Sequence, residues 1–303
     1  MTDYYGMYGV PSFYLSAKDT VKEDPEGKGL NAIIGIELGF VLDIKSMHLG
    51  KAIGNICLLA SSDPGYYNLM KLTSFANQEG MQDKPKIDFN VLKQYCEGLI
   101  VFYGGTESWI GKMINSGESE DNILEIHQML QELFPQNCYL EITAQDEQIF
   151  TELPKINQFL LHLSRKTDTP CIVNNNYFYP EKEDKKTWEM ALAIKDNMKM
   201  YDEARRQPAG QYHIMTEEEI RKICLDNGYK EEQISERIAN NEKIAEQAHV
   251  KLQLGQSLFP KYEAPDFIRE AYEKYKEVLV LQVGENEGGK EGGKEEIEEK
   301  SEG

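Results

Sequence analysis

Five short runs of the chain are almost continuously apolar, with a glutamate in two of them. They occupy residues 32–42, 54–61, 98–105, 138–143 and 170–176. Runs of this length and composition are typical of strands that are covered on both faces in a parallel sheet. The pattern therefore predicts five buried strands.

Amphipathic segments alternate with these runs. Residues 122–134 and 153–167 carry apolar side chains at three- and four-residue spacing, and the second segment ends in basic residues that suit a helix C-terminus. Strands that alternate with helices imply right-handed crossovers and a parallel sheet or barrel. The predicted fold class is α/β.

The strand pattern stops near residue 187, and three further helical patterns follow it. We therefore expect a β/α body over residues 1–200 and a helical appendage and linker over 201–283. Residues 284–303 hold eight Glu, three Lys and six Gly, with almost no apolar side chain. Such a segment cannot form a core, so we expect it to be a disordered acidic tail.

Charge and composition narrow the function classes. The net charge of −19 argues against a broad DNA-binding surface, since such surfaces depend on Lys and Arg, although it leaves open a protein partner on DNA. The five cysteines lie far apart, which favours reduced thiols, and the N-terminus does not read as a signal peptide. No apolar run has membrane-spanning length. We therefore expect a cytoplasmic protein that does not contact a membrane.

The chain carries few sequence motifs that are typical of enzymes. The chain has no Gly-x-Ser-x-Gly, phosphate-loop or dinucleotide-binding motif. Its histidines form no His-x-His or His-x3-His pair, so each is better explained as a surface or packing residue; they are His48, His127, His162, His213 and His249.

Several stretches resemble one family in their order along the chain. The most specific is NICLLASSDPGYYNLMKLTS, over residues 55–74, and GIEL, GLIVFYGG, CYLEI and IVNNNYFYP add to it. Together they resemble the PHP (polymerase and histidinol phosphatase) domain at the N-terminus of the bacterial DNA polymerase III alpha subunit. The downstream segment 244–266 is similar to the helix and linker that lead towards the polymerase palm of that family. The similarity covers roughly residues 2–266.

The resemblance implies a partial or distorted (βα)7-type PHP barrel with a C-terminal helical appendage. In members that keep activity, His, Asp, Glu and Cys side chains at the strand ends hold a cluster of divalent metals. Such a cluster hydrolyses phosphoesters, and a 3′–5′ proofreading role is proposed for it in some polymerases. The family's opening His-x-His strand is missing before Thr2, so we expect the first strands to be absent.

The same resemblance predicts a degenerate metal site. Glu37 and Asp3 keep carboxylates and are the residual metal ligands. Five other ligand positions have lost theirs: Tyr4, Asn55 and Phe178 stand in place of histidines, Gly105 in place of a cysteine, and Asn176 in place of an aspartate. Trp188 stands where a further histidine is common. For Glu37 alone, a carboxylate that accepts hydrogen bonds at a strand end is the simpler interpretation.

Two functions follow from this. The first is a structural or interaction module in DNA replication, without cofactor, that binds a DNA polymerase core or another replisome protein. That partner could also supply the missing strands. The second is a metal-dependent phosphoesterase or 3′–5′ exonuclease with a rebuilt site that uses Zn, Mn or Mg. A third explanation of the missing strands is that Met1 is not the true start.

Overall fold

The structure is a computed structural model that describes residues 1–22, 24, 27, 29–45, 54–81, 83–255 and 265–286. The chain divides into two compact units, Met1–Leu252 and Gln253–Gly303. The first unit contains every strand described below. The predicted boundary at residue 200 falls inside this unit.

Seven strands form one sheet in the described part of the chain. They are β1 (Thr2–Tyr4), β2 (Gly35–Val41), β3 (Gly54–Ala60), β4 (Lys86–Asp88), β5 (Leu99–Gly104), β6 (Cys138–Thr143) and β7 (Cys171–Asn174). The order is β1-β2-β3-β5-β6-β7, and β4 pairs with β2. The sheet curls into a half-barrel with helices around it, which confirms the predicted α/β class.

One strand departs from the predicted parallel sheet. β3 is antiparallel to both β2 and β5, whereas the other pairs are parallel. Only residues 42–53 separate β2 from β3, and antiparallel neighbours do not need a crossover helix. The reversal places the first residues of β3 beside the last residues of the parallel strands.

The described helices of the first unit are α1 (Val10–Asp19), α2 (Asp63–Gln78), α3 (Phe89–Gln94), α4 (Trp109–Ser116), α5 (Glu120–Leu133), α6 (Leu153–Thr167), α7 (Lys185–Lys195), α8 (Glu217–Asp226) and α9 (Glu231–Gln247). Short 3-10 turns cover Thr20–Lys22 and Lys182–Asp184. The predicted segments 122–134 and 153–167 correspond to α5 and α6.

Local sequence explains where these helices start and end. The Ser119 hydroxyl accepts a hydrogen bond from the Asn122 amide at 3.3 Å and caps α5. Pro154 lies in the first turn of α6, where its missing N–H costs nothing. That helix ends at Asp168, which adopts the left-handed conformation with φ 54°.

The sheet buries both faces. The outer face packs against the surrounding helices through side chains such as Ile36, Leu58, Val101 and Leu140. The inner face forms a second, smaller core, made of Cys57, Leu59, Ile100, Phe102, Tyr139, Ile172 and Ile244. Ile244 belongs to α9, so the predicted appendage contributes to the barrel interior.

Helix α9 also covers the free edge of β7. The Asn241 side chain accepts a hydrogen bond from the Val173 amide at 3.3 Å and donates one to the Val173 carbonyl at 2.7 Å. Asn240 Nδ2 donates to the Cys171 carbonyl at 2.8 Å. These bonds take the place of a neighbouring strand, and unpaired edges otherwise invite association.

The second unit contains one described helix, α10 (Asp266–Asn286). The predicted tail 284–303 starts within this helix, and residues 287–303 lie outside the described residues. Among the described helices, none combines the length and apolarity needed to cross a membrane.

Candidate functional site

Side chains from four strands meet at one end of the half-barrel. Glu37 lies on β2, Asn55 on β3, Glu141 on β6 and Asn174 on β7, and all four line a cavity of about 460 Å³. Asn55 reaches this end because β3 runs against its neighbours, so that its second residue lies where the other strands finish. The cavity corresponds to the place where the PHP resemblance expects metal ligands.

Glu37 is a half-buried carboxylate held by neutral groups. Its Oε1 accepts a hydrogen bond from Asn55 Nδ2 at 2.7 Å, and the Tyr5 hydroxyl donates to Asn55 Oδ1 at 3.4 Å. Burial raises the pKa of Glu37 to about 7, with a further contribution from the negative charge of Glu141, while hydrogen bonds from Asn55 and Tyr4 act in the opposite direction. This geometry matches the simpler interpretation of Glu37 as a hydrogen-bonded strand carboxylate.

A second half-buried carboxylate, Glu141, was not singled out from the sequence. Asn174 Nδ2 donates to its Oε2 at 3.4 Å, and the Thr143 hydroxyl lies 3.5 Å from its Oε1. Burial raises the pKa of Glu141 to about 6. The available signal was the single acidic residue in the apolar run 138–143.

The three consecutive asparagines have three different roles. Asn174 contacts Glu141 as described, whereas Asn175 is buried and bonds to the chain around residue 211. Asn175 Nδ2 donates to the Gln211 carbonyl at 2.9 Å, and its Oδ1 accepts from Gln145 Nε2 at 2.7 Å. The Asn176 amide donates to Asn175 Oδ1 at 2.8 Å. Asn176, the predicted ligand position, lies on the cavity wall.

Phe178 takes part in an aromatic cluster at this cavity. Its ring stacks on Trp188 with centroids 5.2 Å apart and planes 12° from parallel, and the Tyr212 ring lies 5.2 Å away. Tyr179 also contacts Trp188. The resemblance expects histidines at positions 178 and 188, and the structure has a stacked aromatic pair there.

The backbone conformation at position 105 requires a glycine, Gly105. Its φ of 69° is in the left-handed region, and a Cβ at this position would lie 2.9 Å from Thr143 Oγ1. The Ser108 hydroxyl donates to its carbonyl at 3.0 Å in the turn before α4. A cysteine at this position would be strained in the present turn.

The structure brings the predicted positions together. Asp3, Tyr4, Glu37, Asn55, Gly105, Asn176 and Phe178 all line the cavity. His127, His162, His213 and His249 are not among its lining residues, and His48 lies outside the described residues.

The donor set does not fit a cluster of divalent metals. Clustered cations need several charged oxygen or imidazole ligands. In the part of the chain that the structure describes, no three His, Cys, Asp or Glu side chains are grouped so that they could hold a metal ion. The amides and the phenylalanine at the positions where the resemblance expects ligands supply no charge. Residual metal ligation by Glu37 and Asp3 stays a prediction.

Comparison with known proteins gives matches to one domain family and to one group of relatives. The family model of the PHP domain matches residues 1–145. The chain is 28% identical over 288 residues to the DNA polymerase III subunit alpha of Haemophilus influenzae, which covers 92% of this chain and 22% of that protein. For the subunits of Borreliella burgdorferi and Escherichia coli K12, the identities are 28% and 27%, over 88% and 90% of this chain and 22% of each relative.

These matches confirm the resemblance: the chain carries a PHP domain over residues 1–145, related to that of DNA polymerase III alpha subunits. The half-barrel is consistent with a partial PHP barrel. The chain spans about a fifth of the length of the curated relatives that it matches.

Proposed function

We propose that this protein is a non-catalytic PHP module that acts in DNA replication by binding a DNA polymerase core or another replisome protein. One observation carries the proposal. The cavity at the strand ends keeps half-buried carboxylates, yet their partners are neutral amides and hydroxyls, and an aromatic pair lies where histidines are expected.

The chemistry of metal-dependent hydrolysis supports this interpretation. Clustered cations activate a water only when charged ligands hold them in place. Asn55 instead donates to Glu37, and Asn174 donates to Glu141. Both amides therefore stabilise carboxylates within the protein, which is a structural role.

The edge of β1 that faces away from β2 is a surface to which a partner can bind. The Met1 carbonyl and the Tyr5 amide bond to β2, so by alternation the Tyr4 N–H points away from it. In the described residues β1 pairs with β2 alone. A strand of a partner can add to this edge through main-chain hydrogen bonds.

Binding to a polymerase core tests the proposal. The full chain is mixed with the polymerase core of the same organism, and the mass of the complex is measured by size-exclusion chromatography with light scattering. We expect a complex that Tyr4→Pro weakens, because proline removes the outward N–H. Tyr4→Ala is the matched control, since it removes the side chain and keeps the N–H. A chain that stays monomeric with every replisome component would contradict the proposal.

The enzymatic alternative has its own measurement. Metal content is determined after purification, and hydrolysis of bis-p-nitrophenyl phosphate and of single-stranded DNA is followed with Mn²⁺, Zn²⁺ and Mg²⁺. The proposal expects no turnover above the level of Glu37→Ala. Stoichiometric metal and hydrolysis that are both lost in Glu37→Ala would establish the phosphoesterase instead.

A further inference from the structure

The lining of the cavity is acidic in the part of the chain that the structure describes. Its described lining residues include Asp3, Glu37, Glu107 and Glu141, and none of them is Lys, Arg or His. The Glu107 carboxylate forms an ion pair with Lys112, with 2.7 Å between Glu107 Oε1 and Lys112 Nζ. The α-amino group of Met1, at the cavity wall, donates to the Ile33 carbonyl at 2.7 Å.

Glu37 and Glu141 therefore line the same cavity as half-buried carboxylates with neutral hydrogen-bond partners. Buried carboxylates in proteins are usually paired with a cation, because removing a charge from water is costly. Amide donors such as Asn55 and Asn174 replace part of the lost hydration. They do not neutralise the charge, so a cation that entered the cavity would gain from both carboxylates.

The aromatic cluster indicates, independently of the carboxylates, which kind of cation would bind in the cavity. Phe178 is 41% exposed and Tyr177 is 38% exposed, and both line the cavity. The Phe178–Trp188 stack offers a flat surface, and Phe178 lines the same cavity as the two carboxylates. Planar, weakly hydrated cations bind such surfaces best, and the guanidinium group has this property whereas the ammonium group of lysine is compact and strongly hydrated.

We propose that this cavity binds the guanidinium group of an arginine side chain from a protein partner, with Glu37 and Glu141 as acceptors and Phe178 as the stacking surface. The partner is the one in the proposed function, and the inference names the chemistry by which it is recognised. A cavity of about 460 Å³ lies within the range that accommodates small ligands.

The charge of the whole protein favours the same partner. A net charge of −19 attracts a basic segment over a distance and raises its rate of association at low salt. The carboxylates then select arginine because they can accept its paired N–H donors.

Calorimetry with two matched probes tests the inference on the full chain. N-acetylarginine amide carries the guanidinium group, and N-acetylcitrulline amide replaces it with an uncharged urea of the same shape. We expect the arginine probe to bind and the citrulline probe to bind at least about tenfold more weakly, since hydrogen bonds between charged groups are stronger than those of a neutral urea to a carboxylate.

Variants locate the binding site. The double substitution Glu37→Gln and Glu141→Gln keeps the size of both side chains. It should weaken the binding of the arginine probe at least about tenfold. Phe178→Leu should weaken binding less, and it provides a second variant if the double substitution does not fold. Glu125→Gln, on the exposed side of α5, is the matched control and should bind as the parent does. Thermal unfolding of each variant checks folding.

Three results would overturn the inference: equal affinity for the citrulline probe, unchanged binding in the Glu37 and Glu141 variant, or tighter binding of spermidine or Mn²⁺ than of the arginine probe. Spermidine represents a free polyamine, and Mn²⁺ represents a metal site. A chain that binds the arginine probe but no replisome protein would contradict the proposed function and leave the cavity assignment standing. A chain that binds the polymerase core but not the arginine probe would refute this inference alone.

Discussion

At the scale of single residues, His127 shows how a buried titratable group is satisfied inside the core. Its Nδ1 lies 2.7 Å from the Tyr103 hydroxyl, and its Nε2 lies 2.9 Å from the Thr169 hydroxyl. Desolvation lowers the pKa of His127 to about 4. The imidazole is therefore neutral in the folded protein at neutral pH, and the sequence-based interpretation of His127 as a packing residue agrees with this position.

The lowered pKa predicts a loss of stability in mild acid. An unfolded histidine takes up a proton near pH 6.5, whereas the folded one resists until about pH 4, so stability falls as the pH drops between these values. The expected loss is about 2 kcal/mol by pH 5 and about 3 kcal/mol in full. The free energies of unfolding of the parent and of His127→Gln are measured by urea denaturation from pH 7 to pH 5. The difference between these two free energies should narrow as the pH falls.

The matched control is His162→Gln, which removes an exposed histidine from α6. The difference in the free energy of unfolding between His162→Gln and the parent should not narrow in this way. A constant difference between the parent and His127→Gln across this pH range would show that His127 does not titrate as described.

At the scale of elements, the reversal of β3 and the position of α9 build the cavity. Asn55 can reach Glu37 because β3 is antiparallel to β2. Asn240 and Asn241 hold α9 along β7, and Ile244 then enters the inner core. A helix thus closes one side of the half-barrel.

Asn241→Ala should release the edge of β7. The substitution removes two hydrogen bonds to Val173, which predicts a loss of about 1–2 kcal/mol in the free energy of unfolding. Hydrogen exchange of the Val173 amide should become faster, because its acceptor is lost. Chemical denaturation and exchange mass spectrometry measure the two effects.

Glu242→Ala provides the comparison for this prediction, since the neighbouring position on α9 is exposed. It should leave both the stability and the Val173 exchange rate near those of the parent. Slow Val173 exchange in Asn241→Ala would mean that α9 is not what protects this edge.

At the scale of the whole molecule, the chain divides into two compact units, and the first of them ends at Leu252. The first unit contains the sheet, both faces of its core and the cavity. Each unit has its own internal contacts, so the first should fold alone.

A fragment of residues 1–252 tests this division. We expect its melting temperature to lie within about 2 °C of that of the full chain, because a change of 1 kcal/mol shifts a domain of this size by about 2–4 °C. Differential scanning calorimetry gives the comparison. A fragment that melts several degrees lower, or without cooperativity, would place the boundary elsewhere.

The sequence predicted most of the sheet because buried strands have a strong local signal. All five apolar runs correspond to strands, β2, β3, β5, β6 and β7. The strands that were missed, β1 and β4, have three residues each and give no apolar run of useful length. The same sequence placed Glu37, Asn55, Asn176 and Phe178 at one site through the PHP resemblance, and the cavity contains all four.

The linear sequence therefore specified the five apolar strands, amphipathic helices such as α5 and α6, the PHP relationship and the neutral residues at positions where that resemblance expects ligands. These depend on side-chain identity and local periodicity, which the linear chain displays. The tertiary structure alone decided the direction of β3, the use of α9 to cover β7 and the pairing of Glu37 with Asn55 and of Glu141 with Asn174. Each of these joins residues far apart in sequence, and local propensity says nothing about which distant groups come into hydrogen-bonding distance.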